Sequence, residues 1–523
     1  MSWFNRYVVG AFSPRRALMR ERYAKGLRAY YEAAEPSRMR KTRTDRRSAN
    51  ALNERAIVPI RTTARHLDEN YDIASGILDV LVANTVGTGI QPEPQVMLTN
   101  GEPAEEVNRR LLQLFEDWRF FPEVTGEHDY YSLQRLTART WFRDGECFTQ
   151  RIIGAVPGLD HGTIVPYSLE ALEPDFVPVD YSDSALGITQ GVELSAWGRP
   201  RAYHVYKNHP GDGLIITTER KRVPADRMMH LAFRKRLHQV RGMSVFATII
   251  NRLEDIKGVD EDERLAARVA AAMAAVIKKG SPDGYEAPDE LGADGLPVPR
   301  QMQFEGGIIF DDLRPGESVE TIDTKRPNNA LIPFRDAQLK AIAAGAGSSY
   351  SSISKNYDGT FSAQRQELVE HYMLYQMLAS PFVYRECQPV WDGFVDASLA
   401  GGALILPANV NRETLYDCTH TGPAMPWVDP EKEVNAQILA MQWRLTSRAS
   451  VIRARGDNPD QVNREIARDE AEMERLGIRF MEGASALERS DEADAPRKRV
   501  ADRARALGDR PVLLNSARPS RRT

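Results

Sequence analysis

Apolar residues recur at helical spacing in some stretches and at every second position in others, and the changes of rhythm divide the chain into regions. Within residues 61–83, Ile73, Ile77, Leu78, Leu81 and Val82 share one face of a helix, which Gly87-Thr88-Gly89 closes off with a turn. Further helices are predicted over 104–120 and 133–143. From Glu146 to about Phe233 the rhythm shortens into the strand-like pieces CFTQRII, TIVPYSLEAL, GVELSAW, RAYHVYK and HLAF, separated by Pro, Gly and Asp. Val192, Leu194 and Ala196 alternate with polar residues, Trp197-Gly198-Arg199-Pro200 supplies a turn, and Tyr203 and Val205 resume the alternation, which predicts a hairpin.

Helical spacing returns over 244–279, where an acidic middle (Glu254, Asp255, Asp260, Glu261, Asp262, Glu263) precedes an alanine-rich half with Leu265, Val269, Met273 and Ile277 every four residues. This reads as one long helix, suited either to a single-chain core or to packing against copies of itself in a ring. Residues 280–325 are rich in Gly and Pro, too irregular for a helix, and read as a small α/β subdomain. Helices are predicted over 334–344 and 363–380, separated by the loop GAGSSYSSISKNYDGTFS, and again over 430–482 with Asp-Pro and Asn-Pro starts. At the ends, 14–34 reads as an amphipathic basic helix, 36–56 as a polar linker, and the chain from Ser485 onward as a tail with too few large apolar residues to join a core.

The chain has 523 residues, room for about three domains. Its 42% hydrophobic and 27% charged content excludes collagen-like, wholly disordered and membrane-embedded classes. The most apolar stretch, 269–277, lies between Arg268 and Lys278 and falls well short of the roughly 20 residues of a membrane span. Arg6, Arg15, Arg16 and Arg20 interrupt any signal-peptide core, so a soluble, intracellular chain is expected at synthesis. Cys147, Cys387 and Cys418 are odd in number and far apart, which suggests neither a disulfide framework nor a metal knuckle and fits a reducing compartment.

Charge is distributed unevenly. Residues 1–70 hold 16 Lys and Arg against 7 Asp and Glu, and residues 496–523 hold 9 against 2. The whole chain nevertheless carries only −4, so its middle is strongly acidic. That balance excludes a general clamp on a phosphate backbone. The basic ends either bind nucleic acid or an acidic protein, or are simply solvated arms.

Signatures of catalysis are weak. The nine histidines form no HExxH pair, no GxSxG elbow is present, and the loop Gly345-Ala346-Gly347-Ser348-Ser349 lacks the lysine of a phosphate-cradling loop. Carboxylates such as Asp144 and Glu146, or Asp311 and Asp312, read as turn and strand-end chemistry ahead of paired acid/base work. No catalytic residue, metal ligand or cofactor is therefore assigned. The runner-up is an intracellular metal-dependent enzyme acting on nucleic acid, with carboxylates as ligands.

A set of segments in fixed order resembles the lambda family of tailed-bacteriophage portal proteins: DIASGILDVLVANTVGTGIQPEP (72–94), FRDGECF (142–148), GVELSAWGRPRAYHVY (191–206), RVPADRMMHLAFRKRLHQVRGMS (222–244), LRPGESVE (313–320), FRDAQLKAIAAGAGSSYSSISKNYDGTFSAQRQEL (334–368) and PWVDPEKEV (426–434). The resemblance implies an α+β, mainly helical subunit assembling into a dodecameric ring at a capsid vertex, through which double-stranded DNA is packaged and ejected. It implies a basic helix and arm (1–60), a wing (61–243), a stem helix (244–279), a clip (280–325), a second stem helix with a channel loop (326–362), a wing return (363–429), a crown (430–482) and a basic disordered tail (483–523). Implied partners are further copies of the chain, DNA bound without sequence preference, the terminase large subunit, a head-tail connector or neck protein, and the major capsid protein and scaffold, with no membrane. The implied location is the virion, and the host cytoplasm during assembly. Ser348, Ser349, Tyr350, Ser351, Lys355, Asn356 and Tyr357 would form the channel loop, with Lys355 either a mobile phosphate contact or a plain surface lysine. Arg365 would anchor the following helix or pair with an adjacent subunit.

Overall fold

A computed structural model describes residues 47–212, 219–272, 276–279, 317–320, 331–424 and 430–477. The basic helix expected over 14–34, most of the 280–325 subdomain and the tail beyond 477 lie outside these residues. The chain divides into two compact units, one ending at Pro423 and the other beginning at Ala424.

The first unit opens with α1 (Ala49–Asn70), whose N-terminus is capped by the Ser48 hydroxyl accepting from Ala51 N at 3.2 Å. The polar linker expected over 36–56 is thus helical from Ala49. Its polar residues serve the fold: Asn50 donates to His238 O at 3.1 Å and Asn53 to Arg241 O at 3.1 Å, so no apolar periodicity is needed to hold the turn in place. The single helix expected over 61–83 is two, because Tyr71 is extended (φ −140°, ψ 113°) and α2 (Asp72–Thr85) starts afresh. The strand β1 (Gln91–Pro94), then α3 (Glu105–Trp118) and α4 (Tyr130–Asp144) follow.

Two antiparallel sheets come next, formed by β2 (Glu146–Ile153), β3 (Tyr167–Leu172), β4 (Ile188–Thr189), β5 (Val192–Leu194), β6 (Pro200–Tyr206), β7 (Arg220–Pro224) and β8 (Met228–Ala232). One has the order β3-β2-β8, the other β4-β5-β6-β7. The hairpin expected around residues 197–200 is β5–β6, with Val192 opposite Tyr203 and a register shift between Glu193 and Leu194.

The long helix expected over 244–279 is shorter at both ends. A 3₁₀ turn (Val245–Thr248) precedes α5 (Ile250–Ala272), and β9 (Val276–Lys279) is a strand paired antiparallel with β10 (Glu317–Glu320), Ile277 opposite Val319. β-Branched Val276 and Ile277 favour the pleated conformation once the alanine run has ended. The return helix α6 (Leu331–Ala346) runs antiparallel to α5, joined by Arg252–Gln338 at 2.8 Å and Arg335–Asp260 at 3.3 Å. A short α7 (Tyr350–Ser354) interrupts the expected loop before α8 (Phe361–Phe382). Pro381 has no N–H to give back to the preceding turn. The chain passes into a π turn (Val383–Cys387), where Gln388 N reaches Val383 O, and continues as α9 (Gln388–Ala400). Finally β11 (Cys418–Thr421) pairs with β1.

Burial explains how these pieces hold. One apolar cluster gathers α1, α2, α4, α6 and α8 around Leu67, Leu78, Phe142, Ile342 and Phe382. A second is aromatic: Trp118 stacks on Tyr167 with ring centroids 5.3 Å apart, donates Nε1–H to Tyr167 O at 2.8 Å, and meets Phe115 and Phe394. A third, with Phe148, Val192, Tyr203 and Val205, lies under the four-stranded sheet. No helix among the described residues is long and apolar enough to cross a membrane.

The second unit is helical: α10 (Pro430–Gln442), α11 (Arg448–Ala454) and α12 (Pro459–Leu476). Asn458 caps α12 by accepting from Asp460 N and Gln461 N, and Pro459 occupies its first turn.

Candidate functional site

The loop carrying the sequence-selected residues is anchored at its base and open at its tip. Gly347 turns the chain out of α6 at φ +69°, and Ser348 N donates to Ala343 O at 3.1 Å. Ser348 and Ser349 are buried. Ser349 caps α7 by accepting from Ser352 N at 3.2 Å and donates its hydroxyl to Glu367 Oε1 at 2.8 Å. Ser351 N donates to the same carboxylate at 3.2 Å. Burial alone would raise the Glu367 carboxyl, but these hydrogen bonds outweigh it and hold the group below its ordinary value. Tyr350 packs on the helical core with the Lys340 ammonium 5.1 Å from its ring centroid.

Beyond Ser354 the loop faces outward. Lys355 stands in the left-handed region (φ 54°) at the end of α7, Asn356 Oδ1 accepts from Asp358 N at 2.8 Å, and Tyr357 is 60% exposed. The seven selected residues therefore separate into an anchored base (Ser348, Ser349, Tyr350, Ser351) and an outward tip (Lys355, Asn356, Tyr357). The anchor itself, Glu367, was not selected from the sequence. Its one signal was position, about two helical turns inside the α8 cap formed by Thr360.

Of the carboxylates with a catalytic alternative, Asp144 and Glu146 are occupied by arginines, while Asp311 and Asp312 lie outside the described residues. Glu146 lies at the centre of a buried network, 3.1 Å from Arg61 Nη2, 2.7 Å from Arg241 Nη2 and 3.1 Å from His230 Nε2, and it also accepts from Gly242 N at 2.8 Å. Burial would raise this carboxyl, but Arg241 and His230 together drive it far below the usual range. Burial pushes His230 down to about 4, so the neutral ring donates Nε2–H to Glu146 and accepts at Nδ1 from Arg234 at 3.3 Å. Arg65 binds Asp144 and Asp175, both at 2.6 Å, and Glu173 at 3.3 Å. Glu173, Asp175 and His209 are close enough together to hold an ion, but the Arg65 guanidinium already supplies the positive charge there. FRDGECF and the end of RVPADRMMHLAFRKRLHQVRGMS thus meet as one structural joint. A Cβ on Gly242 would lie 2.0 Å from Gly145 O.

An α+β, mainly helical subunit with an antiparallel pair of long helices, an anchored loop after the second and no free carboxylate pair in this joint has the features of a portal-type assembly subunit. The profile of the phage portal protein, lambda family, matches residues 35–378, and the chain belongs to that family. Among curated relatives it is 24% identical to the "Probable portal protein" of Halomonas phage phiHAP-1 over 437 residues, covering 80% of this chain and 81% of that one. It is 21% identical to "Portal protein B" of Escherichia phage lambda over 267 residues, 46% of this chain and 49% of that one. Two solved structures also align. "Virion of native gene transfer agent (GTA) particle" gives a TM-score of 0.42 at 14% identity, and "Neck of native GTA particle computed with C12 symmetry" gives 0.41 at 13%. Each alignment covers 77% of this chain and 94% of that one. The chain is a phage portal protein by family, a structural component of the capsid. Nothing found favours the nucleic-acid enzyme considered from the sequence.

Proposed function

We propose that this chain assembles as a closed ring, a dodecamer, whose opening passes double-stranded DNA during packaging and ejection, and that it performs no catalysis of its own. The observation that carries this reading is the loop between α6 and α8, fixed by Ser349 and Ser351 on Glu367 yet presenting Lys355 and Tyr357 outward. A conduit must touch a moving duplex without gripping it. One lysine on a short tip offers a phosphate contact with no base readout, and repetition around a ring gives many weak contacts in place of one strong clamp. The strongly acidic balance of the chain between its basic ends supports the same reading, because like charge keeps DNA off the wall within about 8 Å at physiological salt.

In this reading residues 61–243 and 363–429 form the wing, α5 and α6 the stem, 280–325 the clip and 430–482 the crown. The terminase large subunit, a head-tail connector protein, the major capsid protein and scaffold are its partners, met in the host cytoplasm before the particle is complete. The test is Lys355→Ala in full-length protein. Rings of about twelvefold symmetry should still form under negative stain while DNA packaging or retention changes. A variant that fails to form rings makes the loop structural, and monomers with metal-dependent nuclease activity overturn the reading altogether.

A further inference from the structure

We propose that the arginine-lined groove between β6, β8 and the π turn, with the methionine row of α8 that runs up to it, accepts a second copy of this chain, and that the acidic stripe of α5 is the element it accepts. The inference rests on the ring reading above and names the surfaces that would make the contact.

The groove encloses about 1020 Å³, and among the described residues that line it five arginines, including Arg199, Arg201, Arg234 and Arg385, outnumber two carboxylates, Asp226 and Asp392. Arg234 binds neutral groups, Val240 O at 3.1 Å and His230 Nδ1 at 3.3 Å, and Arg385 lies over the Tyr384 ring at 5.0 Å. Burial, with Arg385 and Arg241 nearby, pushes the Arg234 guanidinium below its ordinary value, although Glu146 and Tyr203 act the other way. An incoming carboxylate would relieve that crowding of cations. From the groove mouth an apolar row continues along α8: Tyr384 is 67% exposed, Met377 71% and Met373 69%.

The complement is on α5. Glu254, Asp255, Glu261 and Asp262 are exposed, and their seven-residue spacing stacks them two turns apart on one face. Exposed Leu265 extends the stripe, and at Gly258, within it, an added Cβ would meet nothing within 4 Å. On other faces of the helix, Asp260 and Arg252 are engaged with α6, and Leu253 and Ile256 with the core. From Glu254 to Leu265 the stripe spans roughly 16 Å at 1.5 Å per residue, with its carboxylates for the groove and Leu265 at the end next to the methionine row. Charge therefore faces charge and Leu265 faces the methionines. Two different surfaces on one subunit make a head-to-tail contact, which closes into a ring when the rotation permits.

The test uses full-length protein and native mass spectrometry. Arg234→Glu with Arg385→Glu should abolish the ring, as should Glu261→Arg with Asp262→Arg, each with the thermal melt of folded wild-type subunits. Mixing the two variants, or combining all four changes in one chain, should restore it. If the groove pair fails to fold, Arg199→Glu with Arg201→Glu on the exposed hairpin takes its place. Rings that persist in either variant overturn this surface alone, as does a loss that neither mixing nor combination repairs. Intact rings that lose DNA would assign the groove to phosphate and likewise overturn it. A wild-type chain that stays monomeric overturns both this contact and the assembly reading.

Discussion

Arg241 and Glu146 lie ninety-five residues apart in sequence and meet fully buried, with Nη2 2.7 Å from Oε1. The same guanidinium also donates to Val177 O at 3.0 Å and Gln190 O at 2.8 Å, so a single side chain ties the start of β2 to the loops flanking the four-stranded sheet. Replacing Arg241 with Ala leaves the Glu146 charge buried with fewer partners, and truncations of this kind cost about 3–5 kcal/mol. A large drop in melting temperature is expected, and Arg241→Lys should recover little because an ammonium cannot reproduce the fork.

Glu386 provides the opposite case. It is buried within the π turn, accepts from Thr149 Oγ1 at 2.9 Å, and burial raises its carboxyl to about 7 from 4.5, that hydrogen bond notwithstanding. The folded state thus holds a proton that the unfolded chain releases earlier. Its contribution to stability is complete below about 4.5 and is lost as pH rises to about 7, an effect on the order of 3 kcal/mol. Thermal melts from pH 5 to pH 8 should show that decline. Glu386→Gln should flatten it, leaving the variant no less stable than wild type at pH 8.

Glu367 should control the mobility of the loop without controlling the fold. Its carboxylate receives the Ser349 hydroxyl and the Ser351 amide, so Glu367→Ala removes two hydrogen bonds worth about 1–3 kcal/mol together. Amide exchange should accelerate over residues 349–357 and remain unchanged in β2 and β8. Equal acceleration throughout would show that the carboxylate supports the whole core.

Gly242→Ala tests the joint between the two quoted segments. The new Cβ would lie 2.0 Å from Gly145 O, and Gly145, at φ +91°, cannot move away cheaply because its own Cβ position lies 2.3 Å from Met243 C. A loss above about 2 kcal/mol, or insoluble protein, is expected. Gly76→Ala, inside α2 with nothing within 4 Å of the added Cβ and no left-handed backbone, serves as the comparison.

How far the sequence could be read depends on what each element uses to hold itself in place. The strand alternation from Val192 to Val205 and the apolar face formed by Ile77, Leu78, Leu81 and Val82 are carried by side chains that face a core, and both elements appear close to where the pattern puts them. The first half of α1 escapes that reading because Asn50, Asn53 and Arg61 hold it through hydrogen bonds and charge, with Ile57 its one large buried apolar side chain. The end of α5 escapes because Ala-rich spacing continues in phase past Ala272 while pairing with β10, distant in sequence, takes over at Val276. In the loop, the composition GAGSSYSS suggests openness throughout, yet Ser348 and Ser349 are buried and only the second half faces outward.

The pairing of β9 with β10 has a further effect. By fastening residues 276–279 to 317–320 it closes off whatever the chain does between them, and the antiparallel seating of α5 on α6 is set below that clasp. Lengthening a closed segment costs only about 0.6 kcal/mol per doubling. A change in the length of chain between the clasped strands is consequently expected to leave the contacts of Arg252 with Gln338 and of Arg335 with Asp260 in register.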